Sequence, residues 1–182
     1  MLKEDGYIVM RKLIPEQTCG RIRERIEDLQ RKELLRYSDG QVDKAYTAYG
    51  MPVTERLLQL LCPIVTTLID APLYPSYSYL RVYLNGAELP KHVDRESCEI
   101  SMTMTIDVKG AATWPIYFDL DGKTQRVDLG VGDAVIYEGM RLAHWREPFH
   151  GERQVQGFLH FVRQDGPFSS FKFDRRAGLG VP

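Results

Sequence analysis

Ile100-Ser101-Met102-Thr103-Met104-Thr105-Ile106-Asp107-Val108 alternates apolar and polar side chains without a break. Successive side chains of a strand point to opposite faces. The stretch therefore reads as a strand with Ile100, Met102, Met104, Ile106 and Val108 on one face. Ser101, Thr103, Thr105 and Asp107 occupy the other. Similar short runs at 77–84, 113–120, 125–129, 134–137, 141–145 and 154–162 are separated by Gly, Pro and Asp clusters. Many short strands with such punctuation predict a sandwich or barrel.

The chain before residue 75 is read differently. Residues 6–10 are a short apolar run read as a strand. Pro15-Glu16-Gln17 opens a helix, with proline and an acid suited to its first turn. Ile22, Ile26 and Leu29 recur at helical spacing, and the helix is expected to run to about residue 35. Residues 41–51 read as loop. A second helix starts at Pro52, with Leu57, Leu58, Leu61, Val65, Leu68 and Ile69 on its apolar face. Cys62-Pro63 is expected to kink or split it. Helices followed by strands predict an α+β fold. The expected architecture is a jelly roll, a double-stranded β-helix, with the N-terminal helices packed on one sheet and residues 1–182 forming one domain.

Of 182 residues, 43% are hydrophobic and 27% charged, values of a soluble globular protein. A net charge of −1 gives no support for a nucleic-acid partner held by charge. No long apolar run predicts a membrane span. The N-terminal acids Glu4 and Asp5 do not suit a targeting peptide. Cys19, Cys62 and Cys98 are scattered without CxxC spacing, which predicts reduced thiols and a cytoplasmic location.

Tyr83-Leu84-Asn85-Gly86-Ala87-Glu88-Leu89-Pro90-Lys91-His92-Val93-Asp94 ends in His-x-Asp. On extended backbone His92 and Asp94 project to the same side and can hold one ion. A third ligand should come from a later strand. By position His144 is chosen, with His150 the main competitor and His160 third. Two imidazoles and a carboxylate leave three octahedral positions open, which suits non-haem Fe(II). Arg153 lies nine residues beyond His144, and a guanidinium there would grip a carboxylate bidentately. Metal and arginine together fit a small dicarboxylate, chelating at one end and clamped at the other.

These residues resemble the 2-oxoglutarate- and Fe(II)-dependent oxygenases, especially the small prolyl-4-hydroxylase-like and phytanoyl-CoA-hydroxylase-like members. Tyr83-x-x-Gly86 leading to His92-x-Asp94 resembles their approach to the metal. Gly130-x-Gly132-Asp133-Ala134-Val135-Ile136 resembles the turn before their second histidine strand, and His144 with Gly151-x-Arg153 resembles their distal histidine and oxoglutarate-binding arginine. The resemblance implies His92, Asp94 and His144 as iron ligands, with Arg153 and Tyr83 binding 2-oxoglutarate. The step from His144 to Arg153 is slightly short, which keeps Arg146 and Arg163 open as substitutes. Arg146 would share a strand face with His144. The implied reaction is hydroxylation of a C–H bond, with oxygen consumed and succinate and carbon dioxide released. Asp94 separates the chain from the related halogenases, in which a small residue replaces the carboxylate.

Arg81, on the strand face of Tyr83, and Trp114 are candidate substrate contacts. A small metabolite and a peptidyl side chain both remain open as substrates. The aromatic and basic tail, 165–176, is expected to cover a sheet edge or to form a homodimer contact. Two rivals stand beside this reading. One is a cupin-like metal enzyme without co-substrate, which would want a His-x-His pair that the chain lacks; the other is a non-catalytic jelly-roll binding module.

Overall fold

The alternation of 100–108 is resolved by two layers that bury both of its faces. The computed structural model describes residues 6–111 and 113–180. In chain order the strands are β1 (Tyr7–Met10), β2 (Arg36–Tyr37), β3 (Ala45–Tyr49), β4 (Leu73–Leu84), β5 (Leu89–His92), β6 (Ile100–Lys109), β7 (Ile116–Leu120), β8 (Lys123–Val127), β9 (Ala134–Tyr137), β10 (His144–Arg146) and β11 (Arg153–Arg163). Helices α1 (Glu16–Arg31) and α2 (Pro52–Ile69) flank β2 and β3. A seven-stranded sheet has the order β1-β9-β6-β11-β4-β3-β2, and a four-stranded sheet the order β5-β10-β7-β8. Every pairing is antiparallel. The result is a jelly roll with both helices on the larger sheet.

Ile100, Met102, Met104 and Ile106 of β6 and Val155, Leu159 and Phe161 of β11 face the helices. They meet Ile22 and Ile26 of α1 and Leu58, Leu61 and Val65 of α2, in a core where each full burial contributes about 1.5–3 kcal/mol. The alternate residues face the smaller sheet. Ser101, Thr103, Thr105, Gln154, Gln156 and His160 are all buried. The polar face of the alternating strand is therefore not a solvated face, but the wall of a polar interior between two sheets.

Three local expectations are revised. The segment read as loop carries β3, whose residues pair with β4 from Ala45↔Tyr83 to Tyr49↔Tyr79. Helix α1 ends at Arg31, earlier than expected. Helix α2 is continuous through Pro63, neither split nor ended there. It is also long and apolar enough to cross a membrane by length and composition, but Thr54, Glu55, Leu58, Leu61 and Val65 are buried in the fold. The tail packs against this helix through an ion pair of Arg176 with buried Glu55, 2.6 Å.

Candidate metal centre

β5 and β10 are neighbours in the smaller sheet, and their register sets His92 opposite His144. Their rings lie 4.3 Å apart. Asp94 follows β5 and is tied by its backbone N–H to the Gly139 carbonyl, 2.9 Å. Its Oδ1 lies 3.6 Å from Nε2 of His92 and 3.6 Å from Nε2 of His144. His92, Asp94 and His144 thus converge with all ligand atoms within 4.8 Å of one another.

The hydrogen bonds on the far side of each ring suit ligation. Nδ1 of His92 meets the Pro90 carbonyl at 2.7 Å, and Nδ1 of His144 meets the Leu142 carbonyl at 2.9 Å. A carbonyl only accepts, so each Nδ1 carries the proton and each Nε2 presents a lone pair, which at His144 the Tyr137 hydroxyl approaches at 3.4 Å. Burial lowers the His144 pKa against the opposing pull of Asp94, which favours the neutral ring. Burial alone would raise the Asp94 pKa. Bonding from His92, the charges that the His144 and His160 rings carry when protonated, and the Ser101 hydrogen bond outweigh it and hold the carboxyl well below its usual range. A carboxylate between two neutral imidazoles is the donor set for a divalent first-row metal.

A second group, Asp94, Cys98 and His160, is equally compact. Burial pushes the Cys98 thiol up to about 12, and Tyr77 Oη lies 3.1 Å from its sulfur. A protonated thiol is a poor ligand, so the donor chemistry favours the first group. His150, the main competitor for His144, is exposed and outside both groups.

A cavity of about 710 Å³ opens onto this centre. Tyr49, Tyr77, Tyr79, Arg81, Arg95, Phe158 and His160 are among its walls. Arg81 is in that wall, but the protein already occupies its guanidinium. It pairs with Asp39 at 2.6 Å, donates to Gln41 at 2.5 Å, and sits 5.4 Å from the centre of the Tyr79 ring. Asp39, which the sequence did not single out, fastens the loop after β2 over the cavity.

Arg153 is not brought to the centre. On β11, Val155, Leu159 and Phe161 face the helices and Gln154, Gln156 and His160 face the interior, so residue 153 has helix-side parity. Its guanidinium pairs with Asp107 at 2.7 Å and with Glu27 of α1 at 3.2 Å. Arg163 is likewise engaged by Glu99 and Glu138. Arg146 is different. It shares the inward face of β10 with His144 and is 2% exposed. Its guanidinium lies 4.8 Å from the centre of the Trp114 ring and donates through Nη1 to the Trp114 carbonyl. No carboxylate of the described residues pairs with it, and its Nη2 has no partner. Burial, opposed by Tyr83 and Tyr137, pushes its pKa down to about 10.

Tyr83 is fully buried, edge-on to Trp114 with ring centres 4.8 Å apart, and Trp114 donates through its indole N–H to the Glu147 carbonyl. Both amide atoms of Gln154 and the Oε1 of Gln156 are also buried without partners. Buried polar atoms are normally satisfied. Arg146 and Gln154 are thus buried polar side chains with hydrogen-bonding capacity that the described residues leave unused.

No protein-family model and no curated protein sequence matches the chain. Solved structures do match. A Pseudomonas putida prolyl-4-hydroxylase superposes with a TM-score of 0.72 at 14% identity, covering 89% of this chain and 95% of that one. The fold is that of the 2-oxoglutarate-dependent oxygenases. SnoN, a non-haem α-ketoglutarate-dependent epimerase from nogalamycin biosynthesis, gives 0.75 at 14% identity over 100% of this chain and 88% of its own. HygX from Streptomyces hygroscopicus, solved with nickel, 2-oxoglutarate and hygromycin B, gives 0.72 at 13% identity over 90% and 85%.

Ser101, Gly139 and Asp39 escaped the sequence reading. Ser101 donates to Asp94 Oδ2 at 2.6 Å. A Cβ on Gly139 would stand 2.4 Å from Asp94 Oδ2 and 2.4 Å from the Cys98 carbonyl oxygen. Ser101 was visible as a member of the polar face of β6, but nothing in that alternation marks which face is interior.

Proposed function

We propose that the chain is an Fe(II)- and 2-oxoglutarate-dependent oxygenase acting at a C–H bond of a small molecule. The observation that carries this is the pairing of two lone-pair-bearing imidazoles and a carboxylate with a buried, unpaired arginine on the same strand as one of them. His92, Asp94 and His144 would hold the iron through Nε2, Oδ1 and Nε2. Arg146 would take the far carboxylate of 2-oxoglutarate in the role that the sequence resemblance gave to Arg153. Tyr83 shares the Trp114 ring with Arg146, and Gln154, whose amide has unused hydrogen-bonding capacity, is the register partner of Tyr83. Bound iron, with oxygen and 2-oxoglutarate, supplies an oxidant that removes hydrogen from carbon while 2-oxoglutarate becomes succinate and carbon dioxide.

The protein's own residues prepare the site. The Pro90 and Leu142 carbonyls fix the imidazole tautomers, and Ser101 fixes the second oxygen of Asp94. HygX was solved with the small molecule hygromycin B. A Trichoplax adhaerens prolyl hydroxylase was solved with a peptide fragment. A cavity of about 710 Å³ bounded by the Asp39 loop favours the small molecule here.

The test is succinate formation from 2-oxoglutarate under air with added Fe(II). Iron-dependent succinate is expected, with loss in His92→Ala, Asp94→Ala and His144→Ala. Equal turnover in all three variants would overturn the site.

A further inference from the structure

We propose that Nε2 of His160 is the hydrogen-bond acceptor that selects a hydroxyl-bearing substrate beside the metal centre, an inference that rests on the oxygenase reading and names its substrate class. Three groups in a row fix the state of this ring. Ser101 Oγ lies 2.6 Å from Asp94 Oδ2 and 3.0 Å from His160 Nδ1. A serine hydroxyl has one proton. A carboxylate cannot donate, so that proton goes to Asp94, and the Cys98 carbonyl at 3.2 Å is the longer, uncharged competitor. Ser101 can then only accept from His160. The proton of the neutral imidazole therefore sits on Nδ1, and Nε2 carries a bare lone pair.

Among the described residues that lone pair has no donor. His160 is one of the cavity walls. The Tyr77 ring packs on it at 4.5 Å, but the Tyr77 hydroxyl is engaged with the Cys98 sulfur. Arg95 sits 4.9 Å from the centre of the Tyr77 ring and donates to Asp174 at 3.2 Å. Asp94 and Asp174 offer only acceptors. A bare acceptor on a cavity wall calls for a donor from the ligand. A carboxylate carries no proton to offer that lone pair. Arg36, Arg81 and Arg95 line the same cavity and disfavour an ammonium. A neutral hydroxyl fits that place as the smallest uncharged donor.

The experiment is nitrogen NMR of the histidine rings in the metal-free full chain, titrated with cyclohexanol and, separately, with its methyl ether. The expected pattern for His160 is a protonated Nδ1 and a bare Nε2. Cyclohexanol should move the Nε2 resonance upfield saturably, and the ether should leave it in place. In Ser101→Ala the single tautomer should give way to a mixture. A proton on Nε2, no response to the alcohol, an equal response to the ether, or an unchanged tautomer in Ser101→Ala would each overturn the proposal. None of these readouts uses iron or turnover, so absent succinate would instead count against the oxygenase reading.

Discussion

Arg146→Met should abolish 2-oxoglutarate binding without the loss of stability that usually follows removal of a large buried side chain. Wild-type Arg146 is buried with no anionic partner among the described residues, and its pKa falls from 12.5 to about 10. At about 1.4 kcal/mol per pKa unit, that fall corresponds to roughly 3 kcal/mol of uncompensated charge burial in the ligand-free chain. Methionine removes that cost. It also forfeits the contact with the Trp114 ring and the bond to the Trp114 carbonyl, together about 2–3 kcal/mol. The two nearly cancel, so the melting temperature of the ligand-free variant should stay within a few degrees of wild type, at about 2–4 °C per kcal/mol for a chain of this size. The ligand response should differ sharply. Wild type loaded with metal should gain about 2.7 kcal/mol at a hundredfold excess of 2-oxoglutarate over Kd, several degrees in a thermal melt, and the variant should gain nothing. A variant that melts ten degrees lower yet keeps the full 2-oxoglutarate response would refute the assignment of Arg146.

Other outcomes follow from the same geometry. Arg153→Met should leave 2-oxoglutarate binding by calorimetry unchanged and cost about 1 kcal/mol or less in a denaturant melt, since its pairs with Asp107 and Glu27 are partly exposed. Gly139→Ala puts a methyl 2.4 Å from Asp94 Oδ2. It should destabilise the fold by about 1–3 kcal/mol and weaken metal binding, read by denaturant melts and metal titration. Burial raises the Asp39 pKa, but Arg81 and the Val42 N–H outweigh it and set the pKa below its ordinary value. A depressed carboxyl stabilises the fold above its unfolded pKa of about 3.9 and loses that contribution as pH falls through the folded value. The melting-temperature gap between wild type and Asp39→Asn should therefore be full at about pH 7 and close below about pH 4.

The jelly roll was legible because strand period and turn residues are local signals. The clean alternation at 100–108 sits in β6, and Ala134–Tyr137 is a strand with the expected bounds. His92, Asp94 and His144 were legible as a set through spacing on extended chain, and the register of β5 with β10 brings them together. Arg153 was misplaced because spacing carries no information on side-chain parity. One residue's shift along β11 exchanges the interior for the helix layer. Whether Thr103 and Thr105 line a cavity or face solvent stays open in the sequence for a related reason: a polar cavity wall and a wet surface have the same composition. Pro63 reads as a helix breaker from propensity, yet α2 continues because Leu58, Leu61 and Val65 are held against the sheet on both sides of it.

Anaerobic titration of Fe(II) into the chain with 2-oxoglutarate present, followed by the visible charge-transfer absorption of the chelate, tests the central claim most directly. One iron per chain should produce the band in wild type and in Cys98→Ala, and none should appear in His92→Ala, Asp94→Ala or His144→Ala. A band that survives the loss of His144 but vanishes with Cys98 would place the metal in the other cluster and contradict the account.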